Sequence, residues 1–86
     1  MKLPVVNQRI KLVASGKTYV ALCSDVFDGG YGYYFDAVFS KRTRKKFAVG
    51  DRCKVPEVSE TCLVDFVSYS PTDPHKARFL IPKWNL

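Results

Sequence analysis

Strand-forming residues recur along most of this chain, and turn-forming residues interrupt them at the spacing of about 8–12 positions that is typical of small sandwiches and barrels. Polar and apolar residues alternate at 9–13, where Ile10 and Leu12 share one face. A turn at 15–17 follows, and the β-branched and aromatic run at 18–27 predicts a long second strand. Because few polar residues interrupt that run, we expect it to be buried on most of both faces.

The clearest hairpin signal is the sequence Asp28-Gly29-Gly30, since two consecutive glycines can supply the positive φ angles of a tight turn. The strand that follows has two faces of different polarity. One face carries Tyr33, Phe35, Ala37 and Phe39, and the other carries Tyr34, Asp36, Val38 and Ser40. On this pattern three phenylalanines on apolar strand faces are predicted to belong to the core: Phe35, Phe39 and, further along the chain, Phe66.

The second half of the chain continues the pattern. The basic stretch after the third strand predicts a hairpin tip, with Phe47 and Val49 resuming a strand beyond it. Residues 52–58 alternate as the next strand, which Pro56 places at an edge or shortens because it has no N–H to donate. Strong alternation predicts the last two strands, at 61–69 and 76–81. We therefore expect an all-β fold, a small antiparallel barrel of five or six strands, OB-like or SH3-like, with residues 1–86 in a single domain.

Two short segments resemble known small barrels. Residues 47–55, FAVGDRCKV, are similar to the apolar-turn-strand step of many SH3-like and OB-like barrels, which implies an architecture and not a family. Residues 15–19, SGKTY, resemble the early hairpin of filamentous-phage single-strand DNA-binding proteins, although the rest of the chain does not follow that pattern.

Composition limits the classes of protein to which this chain can belong. Its 86 residues are too few for a second core, and a hydrophobic content of 47% argues against disorder. The formal charge of +6 favours polyanions or acidic partners by electrostatic steering. The first residues lack the apolar region of a signal peptide, and no segment is apolar enough to span a membrane. The sequence therefore predicts a cytoplasmic protein with no membrane partner.

Little in the sequence points to catalysis or metal binding. Cys23, Cys53, Cys62 and His75 could form a Cys₃His zinc site, but even the nearest two cysteines are nine residues apart, unlike the close pairs of structural zinc sites. Each cysteine instead occupies a strand position that suits a small hydrophobic side chain, and we expect Cys23 and Cys62 to be buried thiols. Since the chain has no nucleophile motif and no phosphate-binding loop, we expect no enzymatic activity and no cofactor.

The segment 31–47, YGYYFDAVFSKRTRKKF, contains the strongest functional signal: clustered aromatic residues precede five cations in six positions, with no acid between the cations. Cations attract phosphates, and exposed aromatic rings stack on bases. The same run is also explained as a solvated hairpin tip whose charges prevent edge-to-edge pairing. The candidate nucleic-acid-binding residues are Lys41, Arg42, Arg44, Lys45 and Lys46 in the run, Tyr31 and Tyr34 as stacking faces, and Arg52 and Lys54 as an extension of the positive track.

The sequence thus predicts a non-enzymatic nucleic-acid-binding protein that grips phosphates with the basic hairpin and stacks bases on tyrosines, with Tyr19 as a further stacking residue and Arg9 and Lys11 as further cations. Single strands are favoured over duplexes, because nothing resembles a recognition helix for the major groove. The alternative is a small protein-binding inhibitor or adaptor, viral proteins included, that docks on an acidic partner surface. In that alternative Trp84 is a hot-spot candidate if exposed, whereas a folded-back Trp84 caps the barrel.

Overall fold

The computed structural model describes residues 3–44 and 46–83. Within these ranges it contains no α-helix and six strands: β1 (Arg9–Ala14), β2 (Lys17–Asp28), β3 (Gly32–Phe39), β4 (Arg52–Lys54), β5 (Leu63–Tyr69) and β6 (Lys76–Pro82).

The six strands form a closed antiparallel barrel in the order β1-β2-β3-β6-β5-β4. Two three-stranded meanders, β1-β2-β3 and β4-β5-β6, meet along two seams, where β3 pairs with β6 and β1 pairs with β4. The prediction of an all-β fold with a small five- or six-stranded barrel is confirmed, and the strand count is the higher of the two.

Antiparallel pairing gives the barrel two distinct ends. At one end, which we call the mouth, β1, β3 and β5 finish and β2, β4 and β6 begin. The mouth therefore carries the turn at 15–16, the connection from β3 to β4 at 40–51, and the loop at 70–75. The opposite end carries the turn at 29–31, the connection at 55–62 and the first described residues.

The prediction that the basic run forms a hairpin tip is wrong. In the closed ring β3 lies between β2 and β6, whereas β4 lies between β1 and β5, so β3 and β4 stand on opposite sides of the barrel. Residues 40–51, which we call the crossover segment, must span the mouth to connect them. Phe47 and Val49 accordingly belong to no strand, and Val49 is fully outside the core.

Phenylalanine rings fill the core, and one of them comes from the crossover segment. Phe35, Phe39 and Phe66 are buried as predicted. Phe47 reaches down from the crossover segment and closes the mouth, with its ring centroid 5.6 Å from that of Phe66 and 5.5 Å from that of Phe79. The crossover segment is thus anchored to the barrel by apolar packing as well as by its two ends.

Two predicted strands differ from the structure. The 18–27 run is not buried on both faces: its inner positions Ala21 and Cys23 are buried, but Val20 and Leu22 on the outer face are exposed. No layer of the described structure covers the outside of the barrel, so β2 shows the one-sided burial of an antiparallel sheet. The strand predicted at 52–58 is shortened to β4, as its proline implied, and a turn from Val55 to Val58 follows.

Candidate nucleic-acid interface

The crossover segment presents its cations to solvent. Phe47 anchors the segment, and the Phe47 backbone N–H donates to the Tyr69 hydroxyl at 2.9 Å. The four described cations of the basic run are all exposed: Lys41, Arg42, Arg44 and Lys46. The fifth predicted cation, Lys45, lies outside the described residues, and so does Trp84, whose exposure bears on the alternative of a protein-binding inhibitor.

These four cations have no carboxylate partner among residues 3–44 and 46–83. The ion pairs of that part of the chain involve other basic residues, namely Arg52 with Asp65, Lys76 with Asp25 and Asp36, Arg78 with Asp36, and Lys83 with Asp28. Mutual repulsion among unpaired cations is unfavourable in the free protein and is relieved when an anion binds. The arrangement therefore favours an anionic ligand at the mouth.

A cleft of about 450 Å³, which we call the mouth cleft, lies between the crossover segment and the β1–β2 turn. Lys17, Lys46 and Arg52 line it, and Tyr19 and Phe47 supply aromatic walls. The mouth cleft also contains Asp51, whose carboxylate accepts the Ala48 N–H at 2.8 Å and so holds the crossover segment in shape.

Tyr19 is the tyrosine that the fold places beside the cations. Its ring lies on the inner face of β2 at the mouth, 5.2 Å from the Phe47 ring and 6.4 Å from the Phe39 ring, both edge-on. The side chain is only partly buried and lines the mouth cleft. Aromatic packing with Phe39 and Phe47 fixes its orientation, so the exposed part of the side chain is held in place before any ligand arrives.

A second cleft, of about 410 Å³, lies on the other side of the crossover segment. Lys46 and Phe47 line this cleft as well, together with Tyr69 and Pro74. Lys46 therefore borders both clefts and stands at the centre of the mouth.

The predicted stacking residues Tyr31 and Tyr34 are not brought to the mouth. Tyr31 precedes β3 at the opposite end and is 81% exposed, separated from the basic run by the eight residues of β3, or about 26 Å at roughly 3.3 Å per residue. Tyr34 lies on the outer face, where its ring stacks on Phe27 with a centroid distance of 5.4 Å. The aromatic and basic halves of the 31–47 segment therefore occupy different parts of the surface.

The remaining predicted cations extend over the outside of the barrel. Arg52 borders the mouth cleft and pairs with Asp65 at 3.2 Å, so its charge is partly neutralised. Lys54 lies further from the mouth on β4, beside Val13 of β1. Arg9 and Lys11 are exposed on β1, next to the outer face of β2.

Sequence reasoning missed two contributors to the mouth. Lys17 was interpreted only as a turn residue, yet the two-residue turn at 15–16 projects it into the mouth cleft. Tyr69 was treated only as part of a strand, but its hydroxyl holds the crossover segment. A lysine directly after a tight turn is a usable signal, whereas the role of Tyr69 depends on a contact across 22 residues of chain.

Outside the mouth, a buried carboxylate links β3 to β6. Asp36 accepts hydrogen bonds from two nitrogens of Arg78, at 2.9 and 3.2 Å, and these bonds to Asp36 raise the pKa of the Arg78 guanidinium further. The Arg78 guanidinium also lies 4.8 Å from the centre of the Phe27 ring. This group cross-links the sheet, and Asp36 and Arg78 line a separate cleft beside Ser70 and Pro71.

Cys23, Cys53 and Cys62 are all buried with free thiols, which confirms the prediction for Cys23 and Cys62. Within the described residues no cluster of His, Cys, Asp or Glu has the grouping needed to hold a metal ion, and no helix there is long and apolar enough to cross a membrane. In comparisons with protein families, curated proteins and solved structures, nothing matches this chain.

Proposed function

We propose that this protein binds single-stranded nucleic acid at the mouth of the barrel, without catalysing a reaction. The crossover segment contacts phosphates through Lys41, Arg42, Arg44 and Lys46, while Tyr19 in the mouth cleft offers a surface on which a base stacks.

One observation carries the proposal: the unpaired cations of the crossover segment are held beside a partly exposed aromatic ring. Phe47 fixes the segment over the mouth, so the cations are concentrated there and not spread over a free loop. Lys17 and Lys46 then line the same cleft as Tyr19. A positively charged groove with aromatic rings is the usual combination in proteins that bind single strands with little sequence preference.

The proposal assigns separate roles to charge and stacking. Arginines contact phosphate with two hydrogen bonds, and lysines act as point charges, so both release counterions on binding. Stacking releases no counterions and contributes about 1–3 kcal/mol per base. The two contributions can therefore be separated by measuring affinity at several salt concentrations.

A charge-matched pair of variants tests the phosphate contacts. We expect Arg44→Ala to reduce the slope of log affinity against log salt by about 0.7, the value for one phosphate contact in a single strand. Lys83→Ala removes one positive charge at the opposite end, where Lys83 pairs with Asp28, and we expect it to leave the slope unchanged. The measurement is fluorescence anisotropy of a labelled oligonucleotide, with RNA and DNA strands compared.

A second pair of variants tests stacking. Tyr19→Leu keeps an apolar side chain at the mouth, and we expect it to weaken binding about tenfold with the salt slope intact, since a base loses its stacking partner. Tyr31→Ala, at the opposite end, serves as the control and is expected to bind as the wild type does. Binding no tighter than the ~0.1 mM typical of non-specific contacts would refute the proposal. Equal binding of poly-glutamate would point instead to an acidic protein partner.

A further inference from the structure

A third surface adjoins the mouth on the outside of the barrel. A groove of about 480 Å³, which we call the outer groove, runs over the outer face of β2 and β3. Its floor is apolar: Val20 and Leu22 are 46% and 47% exposed, and Val38 lies beside Leu22 across the strand pair. These three apolar side chains face solvent and therefore add nothing to the core. A cluster of this kind on an outer strand face is typical of a binding surface.

The outer groove is continuous with the mouth. Tyr19 lines both the mouth cleft and the outer groove, and Thr43 of the crossover segment lines the groove as well. Thr43 stands between Arg42 and Arg44, so the cations of the crossover segment border the groove where it meets the mouth.

Cations also follow the side of the outer groove. In the β1–β2 register Arg9 lies opposite Leu22 and Lys11 lies opposite Val20. Both are exposed and have no ion-pair partner within 3–44 and 46–83. The carboxylate of Glu57 accepts the backbone N–H of Lys11 at 3.0 Å and forms no ion pair with the Lys11 side chain.

Carboxylates lie at the far end of the outer groove, away from the mouth. After Leu22 and Val38, the next cross-strand pair on the outer face is Asp25 with Asp36, beyond the inward-facing Cys23 and an irregularity in the register. Asp36 is bound to Arg78, and Asp25 is more than half exposed and pairs with Lys76 at 3.3 Å. The charges of Lys76 and Arg78 are thus taken up by these two carboxylates, so among the described residues this end of the groove offers no unpaired cation to a phosphate, in contrast to the mouth.

We propose that a single strand bound at the mouth continues past Tyr19 into the outer groove, with bases on Val20, Leu22 and Val38 and phosphates along Arg9 and Lys11. This inference rests on the proposed function. It adds the path that the strand follows and the number of nucleotides that contact the protein. The apolar floor accommodates the faces of bases, and the cationic border on β1 complements the sugar-phosphate chain. A strand that reaches the groove has a larger site than one confined to the mouth, within the range of about 4–16 nucleotides that single OB folds bind.

Oligonucleotide length separates the two parts of the path. We expect a labelled strand of about 10 nucleotides to bind the wild type at least tenfold more tightly than one of about 4 nucleotides, since only the longer strand spans both surfaces. Leu22→Asp should remove that gain and leave the short strand unaffected. Val6→Asp, an equally exposed apolar position at the opposite end, is the control and should change neither affinity.

Leu22→Lys provides a second arm that does not depend on how well Leu22→Asp folds, and we expect it to preserve or increase the affinity of the long strand. If the short and long strands bind equally, or if both Leu22 variants bind the long strand as the wild type does, the path over the outer groove is wrong while binding at the mouth stands. If neither strand binds the wild type, the proposed function fails, and this inference fails with it.

Discussion

Cys23, Cys53 and Cys62 lie in the interior of the barrel, and burial raises the pKa of each thiol. Neighbouring carboxylates act in the same direction, because a negative charge disfavours the thiolate. For Cys53, burial together with the charge of Asp51 raises the pKa to about 11. At the scale of single residues these side chains therefore act as small apolar groups and not as nucleophiles.

We expect native protein at about pH 8 to react slowly with iodoacetamide, since a thiol with a pKa of about 11 is ionised to roughly one part in a thousand. The thiolate fraction increases as pH rises towards that pKa, so labelling should accelerate with pH and become complete on unfolding. Thr72→Cys, at an exposed loop position, is the positive control and should react within minutes. Rapid labelling of all three wild-type thiols would contradict their burial. The readout is mass spectrometry.

At the scale of elements, β3 holds the barrel together because it pairs along nearly its whole length with both β2 and β6. The β3–β6 seam begins where Gly32 lies opposite Pro82. A Cβ at Gly32 would overlap the backbone carbonyl oxygen of Ile81, so only glycine permits the two strands to approach this closely. The other seam, between β1 and β4, has a single registered pair, Val13 with Lys54, and depends on flanking contacts.

Gly32→Ala should destabilise the protein by roughly 2–3 kcal/mol, because the backbone of β6 must move to admit the methyl group. Gly16→Ala is the matched control: a Cβ there meets open space, and only its positive φ of 78° is strained. That strain costs about 1 kcal/mol. The measurement is urea denaturation followed by circular dichroism. Equal destabilisation by the two variants would show that the β6 backbone shifts away from Gly32 at little cost in free energy.

At the scale of the whole molecule, charge is unevenly distributed between the two ends. The mouth gathers the cations of the crossover segment and Lys17, which outnumber its acids Asp51 and Asp73. At the opposite end Lys83 is paired with Asp28, and Glu57 and Glu60 add negative charge. Both ends belong to one barrel with a longest dimension of 33 Å, so the protein carries a charge gradient that orients it towards an anion.

Repulsion at the mouth should make the fold more stable as salt increases. We expect Tm to rise by about 2–4 °C between about 0.02 M and about 0.5 M sodium chloride, since relief of roughly 0.5 kcal/mol produces such a shift in a domain of this size. Replacing Arg42 and Arg44 by alanine should raise Tm at low salt and flatten the dependence. A Tm that falls with salt would mean that the surface ion pairs outweigh the repulsion. The measurement is differential scanning calorimetry of the wild type and of the double variant at several salt concentrations.

The sequence by itself determined where the six strands lie and most of the core, but it also predicted a strand at 47–49 that does not form and a covered outer face of β2 that is exposed. Alternation with a period of two is a local property, so the burial of Phe35, Phe39, Phe66 and the cysteines followed from neighbouring residues alone. The cluster of positive charge could also be predicted from the sequence, because the cations lie close together in the chain.

Only the tertiary structure decided where these features lie relative to one another. Closure of the barrel places β3 and β4 on opposite sides, which turned the predicted hairpin tip into a segment that crosses the mouth. The same closure sends Tyr31 to the far end, brings Tyr19 to the cations and leaves the outer face of β2 uncovered. Strand order depends on pairings between residues distant in sequence, and no local periodicity encodes which strands become neighbours.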